Sequence, residues 1–530
     1  MTNNSLPDSL PRIAAQAMRT DMSAATDDHS MGMDDHSLHQ ALVQMVGAAH
    51  VLTGEAAAPF LTDWRGRYTG AARAVVLPAD VAEVAALVAF CARTGLPIVP
   101  QGGNTGLCGG ATPDASGSAV LLCLRRMAAV LEVDTDNDTI TVQAGCTLQA
   151  VQEAADDADR LFPLTLGAQG TCTIGGNLAT NAGGTQVLRY GTMRELALGL
   201  EVVTADGQIW HGLQGLRKDN TGYALRDLYI GSEGTLGIIT AATLKLFPRA
   251  KAQCTAMLAL SSIEDAARML NLARAGFGAS LTAFELISDV CMQGVNEAFP
   301  EQRPVFDGDA ARAPWFALLE LSDSESESHA RERFEVVLGA ALQAGVAQDV
   351  VIAESVAQSR ALWTVRERIP LAEAAQGKAI KHDISVPVSR MAEFVATTNA
   401  ALQQHFPGVR HVIFGHLGDG NLHYNVARGT EYDEAGLLAL QPEVYALVHS
   451  SVIAHRGSIS AEHGVGQLKR DELPRYKDPV ALLLMRQIKQ ALDPKGVLNP
   501  GKVLGDPGAA SVLSSFVKVE EHHASPHPDR

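Results

Sequence analysis

Apolar residues at positions 81, 84, 87, 88 and 91 recur at helical spacing, so residues 81–93 are predicted to form an amphipathic helix that Gly95 stops. The run Leu96-Pro97-Ile98-Val99-Pro100 then predicts a short strand entering a glycine loop. Strand-like stretches follow at 119–124, 130–133 and 139–142, the last two around the polar turn 134–138, and a helix is predicted over 147–158. Residues 161–191 are glycine-rich without any amphipathic period, which predicts an ordered loop rather than a core helix. A loop that long inside a compact region is usually functional. Beyond Phe247-Pro248 longer helical patterns appear at 263–273, 331–344 and 390–404, with a strand at 412–414. A last helix at 479–492 leads to Asn499-Pro500-Gly501-Lys502, a turn expected to tuck against another part of the chain.

These patterns place a domain boundary near residue 249. Residues 38–249 and 250–505 are expected to be the two folded domains, between a disordered leader over 1–37 and a flexible charged tail over 506–530. The Asp28/His29 and Asp35/His36 pairs of the leader read as a solvated tail or as a weak metal site. With 530 residues, 46% of them hydrophobic, the chain has material for two to three cores. The 59 acidic against 42 basic residues give a net charge of −17, which repels phosphate backbones and excludes nucleic acid as an expected partner. The seven cysteines are scattered and never spaced as CxxC, so they are read as reduced thiols, and a cytoplasmic location is expected. No apolar run approaches the ~18 residues of a membrane span.

Chemistry concentrates first in the glycine loops. Pro100-Gln101-Gly102-Gly103-Asn104-Thr105-Gly106-Leu107 follows a predicted strand, and its small residues let backbone amides approach a diphosphate closely. It is neither GxGxxG nor GxxxxGK[ST], which argues against a Rossmann site and a P-loop; by itself it also reads as a tight turn. A second segment, Gly167-Ala168-Gln169-Gly170-Thr171-Cys172-Thr173-Ile174-Gly175-Gly176-Asn177, continues to Asn181-Ala182-Gly183-Gly184. A third is Gly231-Ser232-Glu233-Gly234-Thr235-Leu236-Gly237-Ile238-Ile239-Thr240. Together they resemble the FAD domain of the vanillyl-alcohol oxidase and p-cresol methylhydroxylase (PCMH) superfamily over residues 55–249.

That resemblance implies an α+β fold: a PCMH-type FAD-binding domain of two α/β subdomains, then an oxidase C-terminal domain of antiparallel sheet and helices. It also implies FAD contacts from Pro100 and Gly102 through Leu107, from Gly167, Gly170, Thr173, Gly175, Gly176 and Asn177, and from Asn181, Gly183 and Gly184. Glu233, Gly237, Ile238, Ile239 and Asn499 complete the expected set. Members that tether the flavin through the first loop carry a histidine near its end, where Asn104 and Thr105 stand here, so non-covalent FAD is expected.

The second concentration is Val412-Ile413-Phe414-Gly415-His416-Leu417-Gly418-Asp419-Gly420-Asn421-Leu422-His423-Tyr424-Asn425-Val426, two strands about an Asp-Gly turn. A two-residue turn at Asp419-Gly420 would set His416 opposite His423 on one face, where two imidazoles can hold one metal ion or simply pack. Glu462, in Ser460-Ala461-Glu462-His463-Gly464-Val465-Gly466, would complete a His-His-Glu set with open coordination positions and leave His463 as a base. These motifs resemble the D-2-hydroxyglutarate and D-lactate dehydrogenase family over residues 250–505. The resemblance implies His416, His423 and Glu462 as ligands of zinc or another divalent metal, His463 as general base, and Arg366, Lys381 and Asn425 as substrate contacts. Pro370 departs from the family, because a hydroxyl-bearing residue is usual there in the enzymes specific for hydroxyglutarate.

The expected reaction is oxidation of a D-2-hydroxy acid, D-2-hydroxyglutarate first and D-lactate or D-malate as alternatives, by metal-assisted deprotonation and hydride transfer to flavin. No haem or iron–sulfur motif is present, so an external acceptor such as electron-transfer flavoprotein or the quinone pool is implied, and a homodimer is compatible. A metal-dependent hydrolase with a nucleotide in the glycine loops, and an FAD subunit like those of glycolate oxidase, are the competing readings.

Overall fold

The computed structural model describes residues 33–505. Helix Val81–Thr94 forms where the periodicity places it: the Asp80 carboxylate accepts the Glu83 N–H at its start, and Gly95 ends it in the left-handed region. Its buried Val84, Leu87, Val88 and Cys91 pack on a four-stranded sheet ordered Val51–Leu52, Ala74–Val76, Val120–Cys123, Ile98–Gln101. The last two pairings are parallel and the first is antiparallel. A second sheet of five antiparallel strands is ordered Val130–Asp134, Thr139–Gln143, Ile238–Lys245, Ala197–Val203, Ile209–Gly212. Helix Leu148–Asp157, capped by Thr147, buries Leu148, Val151 and Ala155 in the same core as this sheet.

Three local expectations need correction. The span 161–191 is not all loop, because Ile174–Ala179 is a short helix with Ile174, Gly175, Asn177 and Leu178 buried. Six residues are too few to show a period in the sequence. The helix depends on close approach, since a Cβ on Gly175 would lie 2.7 Å from that of Ala144. The expected leader is also shorter than residues 1–37: helix Asp35–Val46 buries Leu38, Leu42 and Val46 beside the first sheet, and Asp35 pairs with Arg73 at 2.7 Å. The Asp28/His29 pair and the expected tail over 506–530 lie outside the described residues. The third correction concerns the histidine hairpin and is described with the site.

A seven-stranded antiparallel sheet follows, ordered Asp349–Ile352, Ala252–Leu260, Trp315–Asp323, Leu281–Ser288, Arg410–Gly415, Asn421–Ala427, Asp383–Ser385. Alternation sends Ala256, Leu258 and Leu260 to one face and Met257 and Ala259 to the other. Helices Ile263–Phe277, Glu327–Gln343, Met391–His405 and Gln441–Ala454 cover the first face. The second carries Asp289–Ala298 and Val356–Ala375. Helix Pro479–Leu492 then leads back to the first sheet, where Ile98 donates its N–H to Val497 at 2.8 Å and accepts that of Asn499 at 2.8 Å. No helix of the described residues is long and apolar enough to cross a membrane.

Candidate active site

The first and third glycine loops and the Ile174–Ala179 helix converge on one cleft. Pro100, Gly102, Gly103, Asn104, Thr105, Gly106, Thr173, Gly175, Gly176, Asn177, Glu233, Gly237, Ile238 and Ile239 all line it, and so does His463. Of the other expected contacts, Leu107, Gly167 and Gly170 do not line the cleft. Asn181 holds local structure, its Oδ1 accepting from Thr192 Oγ1 and the Arg194 N–H. Gly184 packs on the Thr165 backbone, while Gly183 packs on Val187 with Thr192 and Glu462 beyond it. Asn499 is buried and donates from Nδ2 to the carbonyls of Gly110 and Glu233, clamping two cleft walls together. Gln101, Cys108, Gly110, Ala111, Ala179 and Thr180 line the cleft without having been expected. They are small or neighbour the motifs, and nothing in their own chemistry marks them.

The cleft wall of backbone and small side chains suits a dinucleotide, and at its tightest points it tolerates no added bulk. A Cβ on Gly103 would lie 2.0 Å from the Thr171 carbonyl oxygen, backbone against backbone, so neither loop could keep its place. Gly103→Ala is expected to lower stability by about 1–3 kcal/mol and to leave less than about half of the purified protein with flavin. A flavin-to-protein absorbance ratio equal to that of the parent would refute this packing role.

Glu233 lines the cleft but its carboxylate is committed elsewhere. Its two oxygens accept the N–H groups of Val465 at 2.7 Å and Gly466 at 2.9 Å, tying the third glycine loop to the segment 460–466. Burial pushes this carboxyl up, against the N–H donors and the nearby Lys469 and Lys502. Through this tie, the cleft and the histidine cluster become neighbours.

The histidine hairpin has a register two residues away from the expected one. Phe414, not His416, stands opposite His423, and the Asn421 N–H closes the turn on the His416 carbonyl at 3.2 Å. The turn therefore holds four residues, Leu417 to Gly420, instead of two. A shift of two preserves which face each side chain takes, so the imidazoles still meet, with ring centroids 5.7 Å apart. His416 Nε2 lies 3.3 Å from Glu462 Oε1, and one donor atom each of His416, His423 and Glu462 fall within 4.8 Å of one another.

Glu285 explains the orientation of this cluster. It is wholly buried on strand Leu281–Ser288, receives His416 Nδ1 at 2.6 Å on one oxygen and Arg366 Nε at 2.7 Å on the other, and so turns His416 Nε2 toward His423 and Glu462. Arg366 rests 4.8 Å over the Phe414 ring. Burial alone would raise the Glu285 carboxyl, but His416 and Arg366 outweigh it and hold it low. For His416 burial acts downward and Glu285 and Glu462 reverse it, giving a raised imidazole. Burial draws His423 down to about 3, leaving a neutral ring with a free lone pair.

A second trio, Asp383, His423 and His463, also falls within 4.8 Å. Asp383, however, already accepts from protein donors on both oxygens. Its Oδ2 accepts the N–H groups of Glu462 and His463, each at 2.9 Å, and its Oδ1 accepts Asn421 Nδ2 at 3.0 Å. Burial opposes the charge, yet His463, Lys469 and His423 hold this carboxyl well below the usual range. His416, His423 and Glu462 thus fit a divalent cation better: a carboxylate behind one histidine, a neutral second imidazole and a carboxylate with an uncommitted oxygen are the donors such an ion takes. Asp383 instead anchors His463, whose Nδ1 lies 3.5 Å away and whose ring stacks on His423 at 5.8 Å. Neither Glu285 nor Asp383 was among the expected site residues. A lone glutamate inside the apolar run 281–288 was the available signal for the first.

Similarity to known proteins matches this layout. Residues 72–212 match the family described as "FAD binding domain", and residues 249–503 match "FAD linked oxidases, C-terminal domain". The mitochondrial D-2-hydroxyglutarate dehydrogenase of Bos taurus is 39% identical over 465 residues, spanning 88% of this chain and 82% of that protein. The D-2-hydroxyglutarate dehydrogenase of Xanthomonas citri pv. viticola is 39% identical over 83% of this chain and 91% of its own length. p-Cresol methylhydroxylase with substrate bound, 15% identical, superposes with a TM-score of 0.70 over 89% of this chain and 97% of that chain, which bears out the PCMH-type α+β fold.

The expected cytoplasmic location is overturned: the relatives from Bos taurus, Rattus norvegicus and Arabidopsis thaliana are named mitochondrial, although the bacterial one is not. All seven cysteines are free thiols. Free thiols separate reducing from oxidising surroundings and do not tell one reducing compartment from another. With both domain families matched and relatives this similar over most of their length, the chain belongs to the FAD-linked oxidases, in the group that contains the D-2-hydroxyglutarate dehydrogenases.

Proposed function

We propose that the chain oxidises D-2-hydroxy acids to 2-oxo acids, D-2-hydroxyglutarate being the first candidate, with FAD bound non-covalently along residues 38–249 and a divalent cation, best matched by zinc, at His416, His423 and Glu462 of residues 250–505. One observation carries this reading. His463 lines the cofactor cleft while its ring stacks on His423, so a single small substrate can meet the base, the cleft and the carboxylate–imidazole cluster together. When bound, FAD supplies the hydride acceptor and the cation supplies the Lewis acidity that makes a 2-hydroxyl easier to deprotonate.

The chain's own residues do the rest. Arg366 spends Nε on Glu285, which leaves its terminal nitrogens to grip the substrate's 1-carboxylate bidentately. Asn425 and Lys381, on the same sheet face, contact the remainder of the substrate chain. His463, steadied by Asp383 at Nδ1, takes the hydroxyl proton at Nε2. The relatives' names support D-2-hydroxyglutarate, while Pro370, inside helix Val356–Ala375 and without an N–H, favours a preference for D-lactate or D-malate. Electron-transfer flavoprotein or a quinone is the proposed acceptor, and a homodimer the proposed assembly.

Mixed anaerobically with D-2-hydroxyglutarate, D-malate or D-lactate, the yellow protein is expected to bleach, and the L-enantiomers to leave it yellow. Prior treatment with a chelator should slow bleaching by at least about 10²-fold, reversibly on adding zinc, with FAD retained. Absence of bleaching by every D-2-hydroxy acid would reject the activity; bleaching untouched by complete metal removal would reject the cation's part in it.

A further inference from the structure

On the same sheet face Lys381 forms an ion pair with a buried residue, Glu373, that has no part in the chemistry above. The bridges Asp383↔His423 and Ile380↔Val426 bracket Lys381 and set it opposite Asn425, with its side chain on the face of Asp383 and His423. Its Nζ lies 2.5 Å from Glu373 Oε2. Glu373 follows Arg366 by seven residues on helix Val356–Ala375, about two turns, so both project from one side of that helix. Arg366 covers Phe414, opposite His423; Glu373 covers Lys381, opposite Asn425. Two strand residues separate these stations, roughly 7 Å, which is the reach of a short substrate chain.

Glu373 is only 3% exposed at its side chain, and its Oε1 has no hydrogen-bond partner among the described residues. A carboxylate buried so fully, with one oxygen unmatched, is costly unless a donor comes to it. Lys381 satisfies only the other oxygen. Arg65, an exposed side chain held over Trp64, is a further charge within electrostatic reach of Glu373. Pro370, one turn earlier on the helix, offers no donor.

We infer that Glu373 is a specificity-determining residue for the far end of the substrate: it neutralises Lys381, so that a second carboxylate gains little there, and offers Oε1 to an uncharged donor such as an amide or hydroxyl. The enzyme then accepts D-2-hydroxyglutarate without exploiting its second charge. This rests on the proposed reading in which Lys381 faces the substrate chain. A like charge beside a bound carboxylate weakens binding by about ten-fold or more, and that is the size of effect to be sought.

The test compares D-2-hydroxyglutarate with its 5-amide, which differs only in the charge and donor at the far end. For the parent enzyme the KM of the amide is expected to be no higher than that of the diacid, a comparison that needs no variant to fold. In E373Q the ratio of the two KM values should move at least about ten-fold toward the diacid, because Lys381 loses its counter-charge while glutamine keeps the shape; flavin content reports folding. In K381M the KM of the diacid should change in the opposite sense. A parent enzyme that prefers the diacid by more than about ten-fold, or an E373Q ratio equal to the parent's while K381M still responds, overturns the role of Glu373 and leaves the placement of Lys381 intact. Unaltered KM values for both acids in K381M would instead remove that placement, and the inference with it.

Discussion

His463→Gln is expected to yield a yellow, folded protein whose flavin is reduced by D-2-hydroxyglutarate about 10²–10⁴-fold more slowly than in the parent. Glutamine occupies similar space and can still donate to Asp383, which it would meet at the 3.5 Å position of the imidazole Nδ1. It cannot accept a proton. The loss should therefore appear in the rate of anaerobic bleaching at saturating substrate and not in flavin content. Because the N–H of residue 463 also binds Asp383 at 2.9 Å, the backbone anchor survives the substitution. Bleaching within about three-fold of the parent would assign proton removal to another group.

Glu285→Ala should have an effect of comparable size through a different route. Glu285 touches neither the cleft nor the expected position of a substrate; it joins Arg366 and His416, which are themselves almost fully buried. Removing it leaves the buried Arg366 guanidinium without its counter-charge and the His416 Nδ1 without its partner, a change that costs about 3–5 kcal/mol. It also frees His416 to rotate, so that Nε2 no longer faces Glu462. A drop of that size in urea-derived stability is expected, with bound zinc falling well below one per chain. Glu285→Gln keeps the volume and an acceptor, and should recover much of the stability but little of the metal. A variant unfolding within about 1 kcal/mol of the parent, with full zinc, would show that Glu285 is a bystander.

How legible all this was in the sequence depended on whether the signal was local. The Asp-Gly dipeptide at 419–420 located the hairpin, and the even side-chain period of strands protected the reading: a turn two residues longer than expected moved His416 from opposite His423 to opposite Asn421 without changing its face. Helices with long periodic stretches, such as Val81–Thr94 and Pro479–Leu492, were also readable, down to the Asp80 cap and Gly95 stop of the first. What stayed hidden was set by distant partners. Ile174–Ala179 is helical because it packs on Ala144, thirty residues away, and its own six residues carry no period. Glu285 lies 131 residues from His416, and only the folded sheet brings them to 2.6 Å. Asp383 looked like one member of a charged cluster with Lys381, yet strand alternation turns only His382 away, its buried ring against Tyr445, while on the other face Asp383 anchors 462–463 and Lys381 pairs with Glu373.

The strand Ile98–Gln101, which feeds the first glycine loop, is bordered on one side by Val120–Cys123 and on the other by residues 497–499. Those two borders are translated far apart in time. At roughly 5–20 residues per second, the ribosome needs on the order of 20–80 s to make the about 400 residues between them. Throughout that interval the nascent N-terminal sheet carries an unpaired rim of the kind that recruits other chains. That rim is paired only when almost the whole chain has been made, so any shielding by chaperones is needed most before the chain leaves the ribosome.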